Sequence, residues 1–204
     1  MNNKSLVQFW DQRYAEEEYA YGSQPNEFLK LHLESIPAGK ILLPCEGEGR
    51  NAVFAAQRGW NVSAYDLSAE GIQKAGLLAH QNNVKIDYQL ADAKEINFAP
   101  ESFDAIALIY AHFNTEHRQI IHRRLASFLK PGGWLIIEAF NPLQLNNKSG
   151  GPKDASMLYT SDMLQDDLKA LNITILCSAH IELNEGLYHR GNADVIRFVG
   201  QKPL

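Results

Sequence analysis

The chain has 204 residues, 45% of them hydrophobic and 21% charged, and a formal net charge of −5. That balance suits one ordinary globular domain and disfavours a broad nucleic-acid-binding face, which needs a basic footprint. Two cysteines, Cys45 and Cys177, form neither a disulfide framework nor a metal-binding spacing, and no run approaches the ~18 apolar residues of a membrane span. The start, Met1-Asn2-Asn3-Lys4, lacks the apolar stretch of a signal peptide. The expectation is a single cytoplasmic domain over 1–204, with 1–36 as an N-terminal helical cap, a small-molecule partner, no nucleic acid and no membrane. Nothing in the sequence fixes the oligomeric state.

In chain order, residues 4–18 predict a helix with an aromatic side made by Phe9, Trp10 and Tyr14. A turn at 23–26 leads to a second helix over 27–35, stopped by Pro37 and Gly39. Residues 40–43 are a short apolar run before a glycine-rich loop, the pattern of a buried strand. A helix follows over 51–58 with Gly59 as its stop, then a strand over 61–66 and a helix to about residue 82 capped by Ser68. Residues 84–90 alternate as a strand, and 103–110 form a continuous apolar run suited to a central parallel strand. A helix over 115–129, a turn at Pro131-Gly132-Gly133, a strand over 134–140 and a helix over 161–170 continue the alternation. The end changes character: two long strands, 173–183 and 187–201, flank Asn184-Glu185-Gly186 as a hairpin. The fold class is therefore α/β: a doubly wound, Rossmann-like, mostly parallel seven-stranded sheet with a C-terminal antiparallel hairpin.

In such sheets ligands bind beyond the carboxyl ends of the strands. The first strand runs into Cys45-Glu46-Gly47-Glu48-Gly49-Arg50-Asn51-Ala52. The glycines allow a sharp turn and close approach to a ligand, and a valine at Gly49 is expected to intrude on that ligand. Gly47-x-Gly49-x-x-Ala52, with Asp66 nineteen residues after Gly47, also satisfies a dinucleotide fingerprint. Glu46 and Glu48 oppose that reading, because they would crowd a pyrophosphate with like charge. They suit S-adenosylmethionine, which carries a sulfonium and an ammonium and no phosphate. An NAD-dependent oxidoreductase and a non-catalytic S-adenosylmethionine-binding protein stay open as alternatives.

Taken together, Trp10-Asp11-Gln12-Arg13-Tyr14, the Gly-Glu-Gly-Arg-Asn loop at 47–51 and Leu129-Lys130-Pro131-Gly132-Gly133 resemble class I S-adenosylmethionine-dependent methyltransferases. Gly150-Gly151-Pro152-Lys153-Asp154 and Leu158-Tyr159 are similar to the small bacterial tellurite-resistance and thiopurine methyltransferases. The resemblance implies S-adenosylmethionine as cofactor and methyl transfer to a small acceptor, a thiol, an oxyanion or similar. It implies that Gly47 and Gly49 lie against the cofactor, that Asp66 accepts from both ribose hydroxyls, that Leu67 packs on the adenine, and that Asp92 and Ala93 meet its polar edge. One departure stands out: Leu43 and Cys45 occupy places where that family commonly has an acid and a glycine, and Glu46 is offered as the replacement carboxylate.

The reacting end is expected at Tyr110-Ala111-His112-Phe113, after the fourth strand. Tyr110 is a candidate to stack near the sulfonium. His112 is either a base for a thiol or hydroxyl acceptor or a residue that caps the strand or binds a backbone group. His112, His117 and His122 share a five-residue spacing unlike the i, i+4 pair of a zinc helix, so no metal is expected. Cys45 reads as small packing rather than as a reactive thiol, and Asp162, Asp166 and Asp167 as a solvated helix face. Arg13 and Tyr14 are substrate candidates from the N-terminal helix. Residues 141–160 exceed the ~12–15 of common structureless loops and predict a mobile flap, with Lys153 as a contact for an anionic acceptor.

Overall fold

A computed structural model describes residues 3–204. The chain forms two compact units; the first runs to Ile96 and takes in Glu185–Tyr188, and the second holds Asn97–Asn184 and His189–Leu204. The first contains α1 (Asn3–Tyr14), α2 (Glu27–Leu33), β1 (Lys40–Pro44), α3 (Arg50–Gln57), β2 (Asn61–Asp66), α4 (Ala69–Gln81) and β3 (Asp87–Leu90). The second contains β4 (Phe103–Ile109), α5 (Thr115–Phe128), β5 (Leu129–Phe140), α6 (Ser161–Asp167), β6 (Asn172–Glu185) and β7 (His189–Gln201). The strands follow the order β3-β2-β1-β4-β5-β7-β6 in one seven-stranded sheet. Strands β1, β2 and β3 pair in parallel, as do β4 and β5, whereas β7 runs antiparallel to β5. This is the mostly parallel α/β sheet with an antiparallel C-terminal hairpin that the sequence predicts.

The core follows from the apolar runs. Ile41, Leu42 and Leu43 of β1 are fully buried, as are Ala105 and Ile106 of β4 and Leu135, Ile136 and Ile137 of β5. A fully buried aliphatic side chain contributes roughly 1.5–3 kcal/mol, so these short strands hold the sheet through both faces. Beside β2 and β3, Val53, Leu78 and Ala79 form a smaller cluster against which Tyr19, Val84 and Ile86 pack. Ser68 caps α4 as the sequence predicts, its Oγ accepting from Gly71 N–H; at the start of α5 the Asn114 side chain accepts from His117 N–H.

Three elements differ from expectation. The first helix stops at Tyr14 rather than at residue 18; beyond it the carbonyls of Glu16 and Glu18 accept from Lys74 Nζ of α4 at 2.8 and 2.7 Å, a partner the sequence does not reveal. The Pro131-Gly132-Gly133 turn lies inside β5 as an excursion, since Phe103 pairs with Leu129 but Ala105 with Trp134. Residues 141–160 are no structureless flap. They form two 3-10 turns, Pro142–Asn146 and Ala155–Met157, tied down by buried polar side chains. Asn141 Nδ2 donates to Val195 O, Gln144 Nε2 to Ser149 Oγ, and Ser149 Oγ to Asn192 O. Opening this segment would leave those groups unpaired, which costs about 1–3 kcal/mol for each that stays buried.

Candidate functional site

In the first unit the loop after β1 curls through the left-handed region at Cys45 (φ 53°), Gly47 (φ 59°) and Gly49 (φ 84°). The curl brings Glu46 back over the start of α3. Its Oε1 accepts from the N–H groups of Asn51 and Ala52, each at 2.8 Å, and its Oε2 from Asn51 Nδ2. The carboxylate thus satisfies donors that a helix start leaves unpaired and meets its positive dipole end. Burial pushes its pKa up to about 7 against those hydrogen bonds. Glu48 accepts from Ala20 N–H and pairs with Lys74 Nζ at 2.6 Å, and Arg50 pairs with Glu185 at 2.9 Å. Cys45 is held inert, because burial pushes its thiol well up.

Asp66 closes β2 and is buried. Its Oδ2 accepts from Gly47 N–H and its Oδ1 from Ser68 N–H, both at 2.9 Å. Burial raises its pKa to about 6 in spite of those donors. Gly47 is gripped further by Tyr88, whose hydroxyl donates to Gly47 O at 2.6 Å. Asp92 is buried beyond β3, with Oδ1 on Lys94 N–H and Oδ2 3.3 Å from Lys94 Nζ; Ala93 beside it is buried and Leu67 is half-buried. Glu46, Gly47, Gly49, Asp66, Leu67, Asp92 and Ala93 all fall at the carboxyl ends of β1, β2 and β3.

Arg13 and Tyr14, expected to meet substrate, are taken up by packing within this unit. The Arg13 guanidinium lies 3.7 Å over the Tyr188 ring and donates to the Tyr21 hydroxyl. Tyr14 stacks on Trp10 and is 5% exposed, with its hydroxyl where a Cβ on Gly47 would stand only 2.6 Å away.

In the second unit β4 ends at Ile109, and Tyr110 directly after it is another left-handed residue (φ 53°). Its hydroxyl donates to Glu138 Oε1 at 2.9 Å, and Arg197 Nε donates to Glu138 Oε2 at 2.6 Å. The Tyr110 ring stacks on Phe140 and meets the edge of His189, both with centroids 4.7 Å away.

Of the two readings of His112, the geometry fits the one in which it binds backbone groups rather than serving as a base. One ring nitrogen, Nδ1, lies 2.7 Å from Met157 O, and the other, Nε2, accepts from Phe140 N–H at 3.2 Å. Burial lowers its pKa to about 4. Both nitrogens are occupied, and a base poised so low has little proton affinity near neutrality. His112→Phe should therefore destabilise the chain by about 2 kcal/mol by orphaning the Met157 carbonyl and the Phe140 amide. The pH dependence has a definite sign. The folded pKa lies below the ordinary 6.5, so the unfolded chain binds the proton more tightly and the wild type loses stability as pH falls from 6.5 towards 4. Denaturant titrations of both proteins at pH 7.5 and pH 5 check this: the His112→Phe variant should lose less on acidification.

Lys153 is exposed, with Nζ 3.4 Å from Asn147 O. One further expectation changes. Asp167 is not on a solvated face: it is buried and accepts from Arg118 Nε at 2.7 Å, with His122 Nδ1 at 2.9 Å. Burial would raise its pKa, but the His122 and Arg118 hydrogen bonds hold it at about 2. The sequence reading also misses Glu138. The only signal for it is one acid inside the apolar run 134–140.

Residues 41–133 match the family model described as a methyltransferase domain. The ubiquinone biosynthesis O-methyltransferase of Xanthomonas campestris pv. campestris (strain B100) is 30% identical over 108 residues, covering 52% of this chain and 45% of that protein. The probable S-adenosyl-L-methionine-dependent methyltransferase TehB of Haemophilus influenzae (strain 10810) is 24% identical over 127 residues, covering 58% and 44%. The chain thus spans about half the length of the curated relatives it matches. The crystal structure of TehB from Haemophilus influenzae superposes with a TM-score of 0.72 at 18% identity, covering 96% of this chain and 66% of that one. Residues 41–133 thus match a methyltransferase domain, and the chain shares its fold with the TehB structure.

Proposed function

We propose that the chain binds S-adenosylmethionine at the ends of β1, β2 and β3 and transfers its methyl group to a small-molecule acceptor. The observation that carries this reading is the Glu46 carboxylate on the start of α3. A dinucleotide's pyrophosphate uses that helix start; here an internal anion fills it, and Glu48, Asp66 and Asp92 are buried nearby in sequence or structure. Such a set of acceptor carboxylates disfavours phosphate and suits a cation. Asp66 supports the ribose half of the reading, because an ionised carboxylate accepts several donors at once and its buried charge gains from two hydroxyls. Gly47 and Gly49 let the backbone approach, Leu67 offers an apolar contact to the adenine, and Asp92 and Ala93 offer an acceptor and a backbone donor to its edge.

The bound cofactor would supply an already activated methyl group, so the protein's part is to align the acceptor. Tyr110, at the end of β4, is the residue we assign to that contact. The relatives' names, an O-methyltransferase and a probable S-adenosyl-L-methionine-dependent methyltransferase, support methyl transfer, with oxygen as one acceptor atom.

Thermal melting tests the cofactor. S-adenosylhomocysteine at a hundredfold excess over its Kd should stabilise the chain by about 2.7 kcal/mol, while NAD should not; a shift with NAD alone would reverse the assignment. A screen of thiols, selenite, tellurite and small hydroxylated aromatics for release of S-adenosylhomocysteine then separates an enzyme from a silent binder.

A further inference from the structure

The second unit holds an ion pair, Glu138 with Arg197, whose carboxylate is buried. Glu138 sits in β5 among apolar neighbours and is 1% exposed. A buried charge is costly even when paired, and an apolar residue of similar volume is often as stable or more so. An alanine or valine would continue the run 134–140 without that cost. Glu138 instead commits one oxygen to the Tyr110 hydroxyl and the other to Arg197 of β7. Register makes this possible: Ile109, Glu138 and Arg197 lie in one row across β4, β5 and β7.

Tyr110 is unusual in its own right. It adopts a left-handed conformation with a bulky side chain, which is uncommon outside glycine and asparagine. Such strain persists only where the surroundings over-determine it, and it gathers at functional positions. The surroundings here do so from several sides. Tyr110 N–H donates to the Glu138 carbonyl at 2.7 Å, its hydroxyl donates to the Glu138 carboxylate, and its ring packs against Phe140 and His189, which also meet each other edge to face. Backbone and side chain of one residue thus hold both ends of Tyr110.

We infer that Glu138, braced by Arg197, is a positioning residue that fixes the Tyr110 ring at the carboxyl end of β4 for contact with the methyl acceptor. The inference rests on the proposed methyl transfer for the meaning of that contact, but not for the coupling itself.

A double-mutant cycle tests it on the full chain. The first readout is S-adenosylhomocysteine formation with the acceptor the screen selects. Tyr110→Phe and Glu138→Gln should each lower kcat about tenfold with KM for S-adenosylmethionine within about threefold, and the double variant should be no slower than either. Arg197→Gln gives a second route should Glu138→Gln fold poorly: the same loss, and none added to Tyr110→Phe. The second readout needs no acceptor. Amide exchange over residues 110–113 should rise about tenfold in each single variant and no further in the double. A double variant about a hundredfold slower, or additive exchange, would overturn the inference, as would Glu138→Gln behaving as wild type in both. A wild-type chain that neither binds nor forms S-adenosylhomocysteine would refute the proposed function, and the exchange cycle would still decide whether Glu138 holds Tyr110.

Discussion

Gly49→Val should lower the melting temperature by about 10 °C. Two costs combine. Gly49 has φ 84° as the residue preceding α3, and a branched side chain in the left-handed region costs roughly 1–2 kcal/mol. A Cβ there would also stand 2.6 Å from Ala75 Cβ and 3.0 Å from Ala75 Cα in α4. Contact with a helix backbone does not yield as a flexible side chain would, and overpacking adds roughly 1–3 kcal/mol. For a chain of this size each kcal/mol shifts the midpoint by about 2–4 °C. This changes the reason for the glycine: the sequence suggests a side chain intruding on a ligand, whereas the structure points it at α4. Gly59→Val separates the two costs, because Gly59 shares a positive φ (86°) but an added Cβ there would meet nothing within 4 Å. It should cost only the backbone part. Equal melting of the two variants would show that the Ala75 contact is absorbed without cost.

Most of the scaffold is legible in the sequence, and the reasons are local. Strands β1 and β2 are short runs with apolar cores next to a glycine or an acid, and helices such as α4 and α5 carry their own caps, Ser68 and Asn114. The loop from Cys45 to Gly49 is legible for the same cause: glycine spacing and flanking carboxylates lie within a few residues. What escapes depends on partners distant in the chain. Asp167 reads as a surface acid until α6 meets Arg118 and His122, 49 and 45 residues away. Glu138 reads as an oddity until β7 brings Arg197, 59 residues on. Residues 141–160 read as a flap because loop length says nothing of Asn141, Gln144 and Ser149 turning inwards. His112 stays open between a base and a backbone-binding residue because the composition around it does not disclose that the Met157 carbonyl and the Phe140 amide occupy its ring.

Asp66→Asn should move stability and affinity in opposite directions, the mark of a carboxylate retained for a ligand rather than for the fold. The folded pKa of Asp66 is about 6 against an ordinary 3.8. The raised value means that the native state holds the proton more tightly than the unfolded chain does. The group's contribution to stability is therefore full below about pH 4 and is lost as pH rises through about 6. At pH 7.5 the chain carries a buried charge whose full cost is about 3 kcal/mol by that shift. Asparagine removes the charge but turns an amide N–H towards one of the two donors, Gly47 or Ser68, which offsets part of the gain. The net expectation is a rise in the stability of the unliganded chain of about 1 kcal/mol at pH 7.5. Binding should respond the other way. Losing a charge-assisted acceptor for ribose hydroxyls costs roughly 1.5–3 kcal/mol, about 10- to 100-fold in Kd. The wild type should bind S-adenosylhomocysteine with constant affinity above about pH 6 and more weakly below it, as the carboxylate takes a proton; the Asp66→Asn variant should lack that dependence. Calorimetry from pH 5 to 8.5 reads the affinity, and denaturant titration reads the stability. If Asp66→Asn leaves affinity and its pH profile unchanged while lowering stability, Asp66 serves only to hold Gly47 and Ser68, and the ribose must be bound elsewhere.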